Sequence, residues 1–465
     1  MHRFAVLIIA GLLFGLINAA VGAEEPYAVY LPLVGLPARP SPFGFESDPS
    51  MLAQPQIRAR AADLGASWVR LNGALWHEVQ PEADGAYNWQ ALARLDDALT
   101  TARTLGLTPV VVIRGTPLWA AVAPSHCAAI RDDRLEAFAV FLEELATRYR
   151  GQVDYWELGN EPDVDPRLLP VDSPYGCMGD IDDPYYGGER YGRMLQVAAP
   201  ALRRGNPQAR IVFGGLLLAT PSSSDPTRGT PEHFFEGALR AGAGAYFDIL
   251  AYHAYPYYFG DPTVDPDTAT PHEWSLWGGW TLGKARYLRA VMNRYGVNKP
   301  LWLNETSVVC PDTWPHCHPP NGAFFVVQAH HLVRMVARAT AAGITQITWY
   351  TLEGPGWFST GLLDGARQPR PAYHAFQQMT RMILPFSEVA GVDYGPGIEA
   401  YRFVKGPTVV DVLWSRDHMV RSVEVPSDRF LDSRHFDGST LASYVNGSTT
   451  SLDIGLAPVY IERKP

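Results

Sequence analysis

Two glutamates each follow a run of apolar and aromatic residues: Glu161 in Trp156-Glu157-Leu158-Gly159-Asn160-Glu161-Pro162-Asp163, and Glu305 in Leu301-Trp302-Leu303-Asn304-Glu305-Thr306-Ser307. The residues before them (Val153, Tyr155, Trp156 and Leu158 in one case, Leu301 to Leu303 in the other) read as buried strands, which predicts a carboxylate at the C-terminal end of each. A glycosidic bond breaks through a cation-like transition state. One group must protonate the departing oxygen while another attacks or supports the anomeric carbon. Two glutamates across one pocket can do both. Asn160 and Asn304 immediately precede them, and amides in that position can hold sugar hydroxyls.

Bringing two such residues to one mouth requires strands that all end on the same side. From residue 42 to 384 short apolar runs alternate with helical patterns. The expected strands are Phe43 to Phe45, Trp68 to Leu71, Pro109 to Ile113, Val153 to Leu158, Ile211 to Gly214, Phe247 to His253, Leu301 to Asn304 and Ile344 to Tyr350. Helices are expected where apolar residues recur at three and four spacing, as at Leu92, Leu95, Leu99 and Ala102, and at Leu135, Phe138, Leu142 and Leu145. Eight strand-helix units in series predict an α/β chain built as a TIM (β/α)8 barrel, whose chemistry sits at the C-terminal ends of the strands. No Gly-rich phosphate fingerprint follows any of these strands, which disfavours a nucleotide-binding sheet. Past Pro385 the pattern becomes short alternating runs (Ala400 to Val404, Val409 to Trp414, Val420 to Val425, Leu441 to Val445, Val459 to Ile461) broken by glycines. Residues 385–465 are therefore expected to form a small all-β sandwich on the barrel flank. Residues 24–41 read either as a linker or as an N-terminal strand.

A formal net charge of −10 argues against nucleic acid, which calls for a concentrated basic surface. Residues 1–23, with Arg3, an apolar run and small residues before Glu24, have the form of a signal peptide. The expectation is a secreted, extracellular protein with no membrane attachment once that segment is removed. A run of about 19 apolar residues could also serve as a retained anchor. In an exported chain the four cysteines favour two disulfides, Cys310 with Cys317 and Cys127 with Cys177. Zinc on Cys310, His316, Cys317 and His318 is the alternative.

The segment Gly159-Asn160-Glu161-Pro162 resembles the fourth-strand Asn-Glu-Pro signature of glycoside hydrolase clan A. The resemblance implies that Glu161 is the acid/base and Glu305, ending strand seven, the nucleophile. It further implies that Arg70 lies near the nucleophile, and that His253 and Tyr255 of His253-Ala254-Tyr255 bind sugar or support the nucleophile. Trp349 would floor the subsite of the cleaved sugar. Gly361-Leu362-Leu363-Asp364 followed by Pro371-Ala372-Tyr373 is similar to the closing segment of family 39 and family 5 members. These landmarks span most of residues 42–384. They imply a retaining β-glycoside hydrolase that cleaves O-glycosidic bonds of plant-type or microbial oligo- and polysaccharides by double displacement, with a carbohydrate partner and neither cofactor nor metal. A non-catalytic carbohydrate-binding barrel and a transglycosylase fit the same residues. Several residues also have plain structural roles open to them. Arg70 could neutralise a buried Glu157, and Trp76, Trp119 and Trp357 could pack rather than carry sugars. Glu353, Asp163 and Asp364 are acidic groups for loops or outer subsites.

Overall fold

Eight parallel strands close into a barrel in chain order: β1 (Phe43–Glu46), β2 (Trp68–Leu75), β3 (Thr108–Arg114), β4 (Tyr155–Asn160), β5 (Arg210–Leu216), β6 (Ile249–Ala254), β7 (Leu301–Thr306) and β8 (Gln346–Trp349). Closure places Phe43 opposite Ile347 and Phe45 opposite Trp349. The computed structural model describes residues 41–169, 177–219, 229–269, 274–417 and 419–465. The signal-peptide segment 1–23 and, apart from Ser41, the 24–41 segment lie outside the described residues.

Strand alternation sorts the side chains into two layers. Val69, Leu71, Val111, Ile113, Trp156, Leu158, Ile211 and Phe213 face the helices and join the main core. Trp68, Val110, Tyr155, Val212, Ile249, Ala251 and Trp302 fill the barrel axis. The rings of Trp68, Tyr155 and Trp302 lie 5.0 to 5.4 Å apart and plug one level of the interior. Two residues further along β2 and β4 the inward positions become Arg70 and Glu157, so a polar layer sits on the aromatic plug. Helix Ala93–Thr104 buries Leu95, Leu99 and Ala102, and helix Leu135–Arg148 buries Phe138, Leu142 and Leu145, as their spacing predicts.

The C-terminal region is a sandwich of two antiparallel sheets. Its strands are β9 (Glu388–Gly391), β10 (Ile398–Lys405), β11 (Thr408–Ser415), β12 (Arg421–Pro426), β13 (Phe430–His435), β14 (Ser443–Asn446), β15 (Thr449–Ile454) and β16 (Val459–Arg463). One sheet runs β13-β16-β11-β10-β9 and the other β12-β15-β14. Leu413, Val423, Val425, Leu452, Ile454 and Ile461 form the core between them. The outer face of the larger sheet, with Phe403, Val410, Val412, Trp414 and Tyr460, merges into the barrel's core. Arg338 of helix Gly322–Ala341 adds an ion pair to Glu399 of β10.

Both expected disulfides are present. Cys127–Cys177 ties the segment after β3 to the one after β4, and Cys310–Cys317 closes the loop after β7. The second consumes the two sulfurs that a zinc site would need. Among the described residues no helix is long and apolar enough to cross a membrane.

Candidate active site

The site grows out of the polar layer. Arg70, 1% exposed, donates from Nε and Nη2 to both oxygens of Glu157, each at 2.8 Å, and from Nη2 to Asn160 Oδ1 at 2.7 Å. Its Nη1 contacts Glu46 and Glu305. A single cation thus meets three carboxyl groups, and their environments divide the charge. Burial pushes the Glu157 carboxyl up, but Arg70 outweighs it and holds Glu157 below the ordinary range. At Glu46 burial wins and the carboxyl is pushed well up, which keeps its proton in place. The guanidinium is left with the ionised Glu157 as its bidentate partner, while Nη1 also reaches Glu305. The structural role foreseen for Arg70 and its expected place beside Glu305 therefore coexist.

Glu161 is the first residue past β4 and adopts φ 50°, reached through Gly159 at φ 90°. That glycine frees the chain to turn out of the strand, and the Glu161 N–H is then held by the Gly215 carbonyl at 2.9 Å. Glu161 Oε1 lies 2.9 Å from His253 Nδ1, whose distance to Glu305 Oε2 is 3.3 Å. Burial pushes the Glu161 carboxyl up to about 7, against the opposing pull of Arg70 and Lys284. Burial likewise pushes the His253 imidazole down to about 4, so it is neutral. Tyr255 donates its hydroxyl to Glu305 Oε2 at 2.5 Å, and burial together with Glu305 keeps that phenol well above its ordinary value. Gly215 leaves the room this arrangement needs, since a Cβ there would meet His253 Nε2 at 2.1 Å and Asn304 Oδ1 at 2.8 Å.

Within the Glu161, His253 and Glu305 trio, one side-chain ligand atom of each lies within 4.8 Å of the others. The trio has the shape of a cation site, but the guanidinium touching Glu305 and the proton kept on Glu161 oppose one. What the arrangement can do is hold a proton on Glu161 while Arg70 and Tyr255 fix Glu305, across a gap narrow enough for both to reach the same sugar carbon-oxygen bond.

Trp349 does not join this group. Gln346 and Thr348 bond to each other across 2.5 Å, while Ile347 and Trp349 turn into the core with the helices. Trp349 is 1% exposed and donates its indole N–H to the Thr360 carbonyl. The next residue, Tyr350, instead packs edge-on against Tyr255 at 6.0 Å. Trp357, 41% exposed, does the same at 5.5 Å, and is the tryptophan of the expected platforms that borders the site. Trp76 is buried against Phe138 and Phe141, and Trp119 packs edge-on to Trp76. Asp163 caps the backbone of Leu217 and Leu218 at 2.8 Å, Asp364 caps its own turn, and Glu353 accepts from Ser47 and the Asp48 N–H.

Glu46 and Lys284 escaped the sequence reading. Phe43-Gly44-Phe45-Glu46 carries the same signal, a carboxylate closing an apolar strand, that marked the other two glutamates. Lys284 donates to the carbonyls of Leu217 at 2.6 Å and His253 at 2.9 Å from the middle of helix Trp280–Arg294, and a lone helical lysine gives no such signal.

No protein-family model and no curated protein matches the sequence. Solved structures do match the fold. A family 39 glycoside hydrolase from the gut symbiont Bacteroides cellulosilyticus WH2 superposes with a TM-score of 0.67 at 17% identity, over 92% of this chain and 81% of that one. A family 30 endoxylanase from Clostridium papyrosolvens C71 gives 0.59 at 12% identity, over 91% of this chain and 96% of that one. A protein described as a conserved exported protein from Bacteroides fragilis gives 0.58 at 15%, over 90% and 96%. At these identities the likeness is one of architecture: a closed (β/α)8 barrel carrying an antiparallel β region, the frame on which glycoside hydrolases of families 39 and 30 are built.

Proposed function

We propose that this chain is a secreted retaining β-glycoside hydrolase acting on O-glycosidic bonds of plant-type or microbial oligo- and polysaccharides. The observation that carries the reading is the opposed pair: Glu161, kept protonated to about pH 7 by burial, lies within 4.8 Å of Glu305, which is held by Arg70 and Tyr255. So short a gap leaves no place for a water between the nucleophile and the sugar, and it suits direct attack. In the first displacement Glu161 gives its proton to the departing oxygen as Glu305 bonds to the anomeric carbon. In the second, the Glu161 carboxylate takes a proton from water as the water oxygen bonds to the anomeric carbon and the bond to Glu305 breaks, which releases the sugar with its original configuration.

Arg70 and Tyr255 hold the two oxygens of Glu305 in place for attack and again as it leaves. Asn160, whose Oδ1 accepts from Arg70, binds a sugar hydroxyl in this reading, and His253 steers the Glu161 proton. The fold shared with family 39 and family 30 glycoside hydrolases supports the reading, as does the Asn160-Glu161-Pro162 motif at its expected strand end. Export is supported by the signal-like N-terminal segment and by two disulfides.

A panel of aryl β-glycosides tests this directly. The wild type should release phenol from at least one of them, and Glu305→Gln should release none. Sugar binding without turnover by the wild type would replace the hydrolase with a carbohydrate-binding barrel.

A further inference from the structure

The seam between helix Gly322–Ala341 and strands β10 and β11 holds a cleft of about 250 Å³, open to solvent, that shares no residue with the Glu161–Glu305 site. It has room for roughly eight waters at liquid density. Arg334, Arg338, Arg416, Asp265, Glu399 and Trp414 contribute to its wall.

Charge is unevenly paired around this space. Arg338 engages both acids, Glu399 through Nε at 2.7 Å and Nη2 at 2.9 Å, and Asp265 at 2.8 Å. The other two guanidiniums have less. Arg334, 4% exposed, gives Nη2 to the Leu456 carbonyl and reaches Asp265 at 3.7 Å, and its Nε has no partner among the described residues. Arg416 comes no nearer than 3.8 Å to Glu399. A buried donor left unmade costs about 1–3 kcal/mol, more when the group is charged. Burial pushes the Asp265 and Glu399 carboxyls up, but Arg338 outweighs it and both stay below the ordinary range, so both are ionised. Asp267, behind Arg338 at 3.6 Å, is pushed up to about 6 by burial. In mildly acidic solution three guanidiniums therefore face two carboxylates, an excess of one positive charge. The Trp414 ring lies 5.3 Å from the Arg338 guanidinium and 5.9 Å from that of Arg334, and it steadies both.

We propose that this cleft binds a small monocarboxylate, free or carried on a single sugar acid, between Arg334 and Arg416. Guanidinium groups match a carboxylate geometrically, and the excess of one charge suits a monoanion rather than a doubly charged group. A neutral sugar would leave the Arg334 Nε charge unanswered. The site is independent of the reaction at the barrel mouth.

Calorimetric titration at pH 5.5 and constant ionic strength, with sodium glucuronate, sodium acetate and glucose in turn, tests the proposal. Glucuronate should bind saturably and glucose should not. Equal affinity for acetate assigns the site to free carboxylates, and a preference for glucuronate assigns it to a sugar acid. Arg416→Met, at an exposed position, should weaken glucuronate at least fivefold without changing hydrolysis of an aryl glycoside. Arg334→Lys, which keeps the charge and loses the planar donor set, should weaken it as well. No saturable binding of either acid, equal binding of glucose, or unchanged affinity in Arg416→Met would overturn the proposal.

Discussion

Replacing Glu161 with glutamine should make the protein more stable at alkaline pH while removing its acid. The Glu161 carboxyl stands at about 7 against an ordinary value of 4.5, because burial disfavours its charge. Between those two values the unfolded chain gives up a proton that the folded site retains, so wild-type stability falls as pH rises through this window. Below pH 4.5 both states are protonated and the penalty vanishes. At about 1.36 kcal/mol per pH unit, the interval from 4.5 to 7 is worth roughly 3 kcal/mol at pH 8. The Glu161 side chain is 16% exposed, which trims this to about 2–3 kcal/mol. Glutamine is neutral in both states and escapes the penalty. With about 2.1 cal/mol/K of unfolding entropy per residue, the some 430 residues of the compact unit give roughly 0.9 kcal/mol/K. Glu161→Gln should therefore melt about 2–3 °C above the wild type at pH 8 and within about 0.5 °C of it at pH 4.5. Scanning calorimetry of both proteins across this range reads the difference. An offset that does not change with pH would refute the claim that burial holds a proton on Glu161.

Activity should fall as pH rises through about 7, when Glu161 loses the proton the first step needs, and a profile of kcat/KM against pH that stays level from 6 to 8.5 would contradict this. Tyr255→Phe removes a donor 2.5 Å from Glu305 and leaves a buried acceptor unmade at a cost of about 1–3 kcal/mol; kcat/KM should drop about 10- to 100-fold, with the melting temperature lower by no more than about 1–3 °C. Trp349→Ala and Tyr350→Ala should separate cleanly. The first empties a buried position at a cost of about 3–5 kcal/mol and should lower the melting temperature, while the second removes a ring at the mouth and should raise KM.

The barrel was legible because each of its strands is a dense apolar run between helical patterns, and the glutamates were legible because each closes such a run. Strand ends were less clear. β4 continues through Gly159 and Asn160 and β7 through Glu305 and Thr306, since ladder bonding to neighbours carries polar residues that propensity assigns to loops. In the sandwich, β9, β13 and β15 were missed. β9 is a largely exposed edge, β13 is mostly polar, and β15 presents Thr450, Leu452 and Ile454 inward between Ser and Thr residues that read as turns. Which of Trp349 and Tyr350 lies beside the site was not legible. Alternation flips a side chain at every residue, and nothing in Ile344 to Tyr350 fixes which aromatic faces inward until Gln346 and Thr348 are seen paired. Glu46 carries the strand-end signal, but its contact with Arg70 depends on β1 and β2 being neighbours with Glu46 opposite Arg70.

The central claim is that Glu161 and Glu305 act on one sugar carbon with no water between nucleophile and substrate. Proton NMR of the sugar released early from an aryl β-glycoside, before spontaneous mutarotation, reads the outcome directly. Carboxyl oxygens within 4.8 Å of each other predict the β anomer as first product. The α anomer appearing first would mean attack by water in a single displacement, and would contradict the roles assigned to both glutamates.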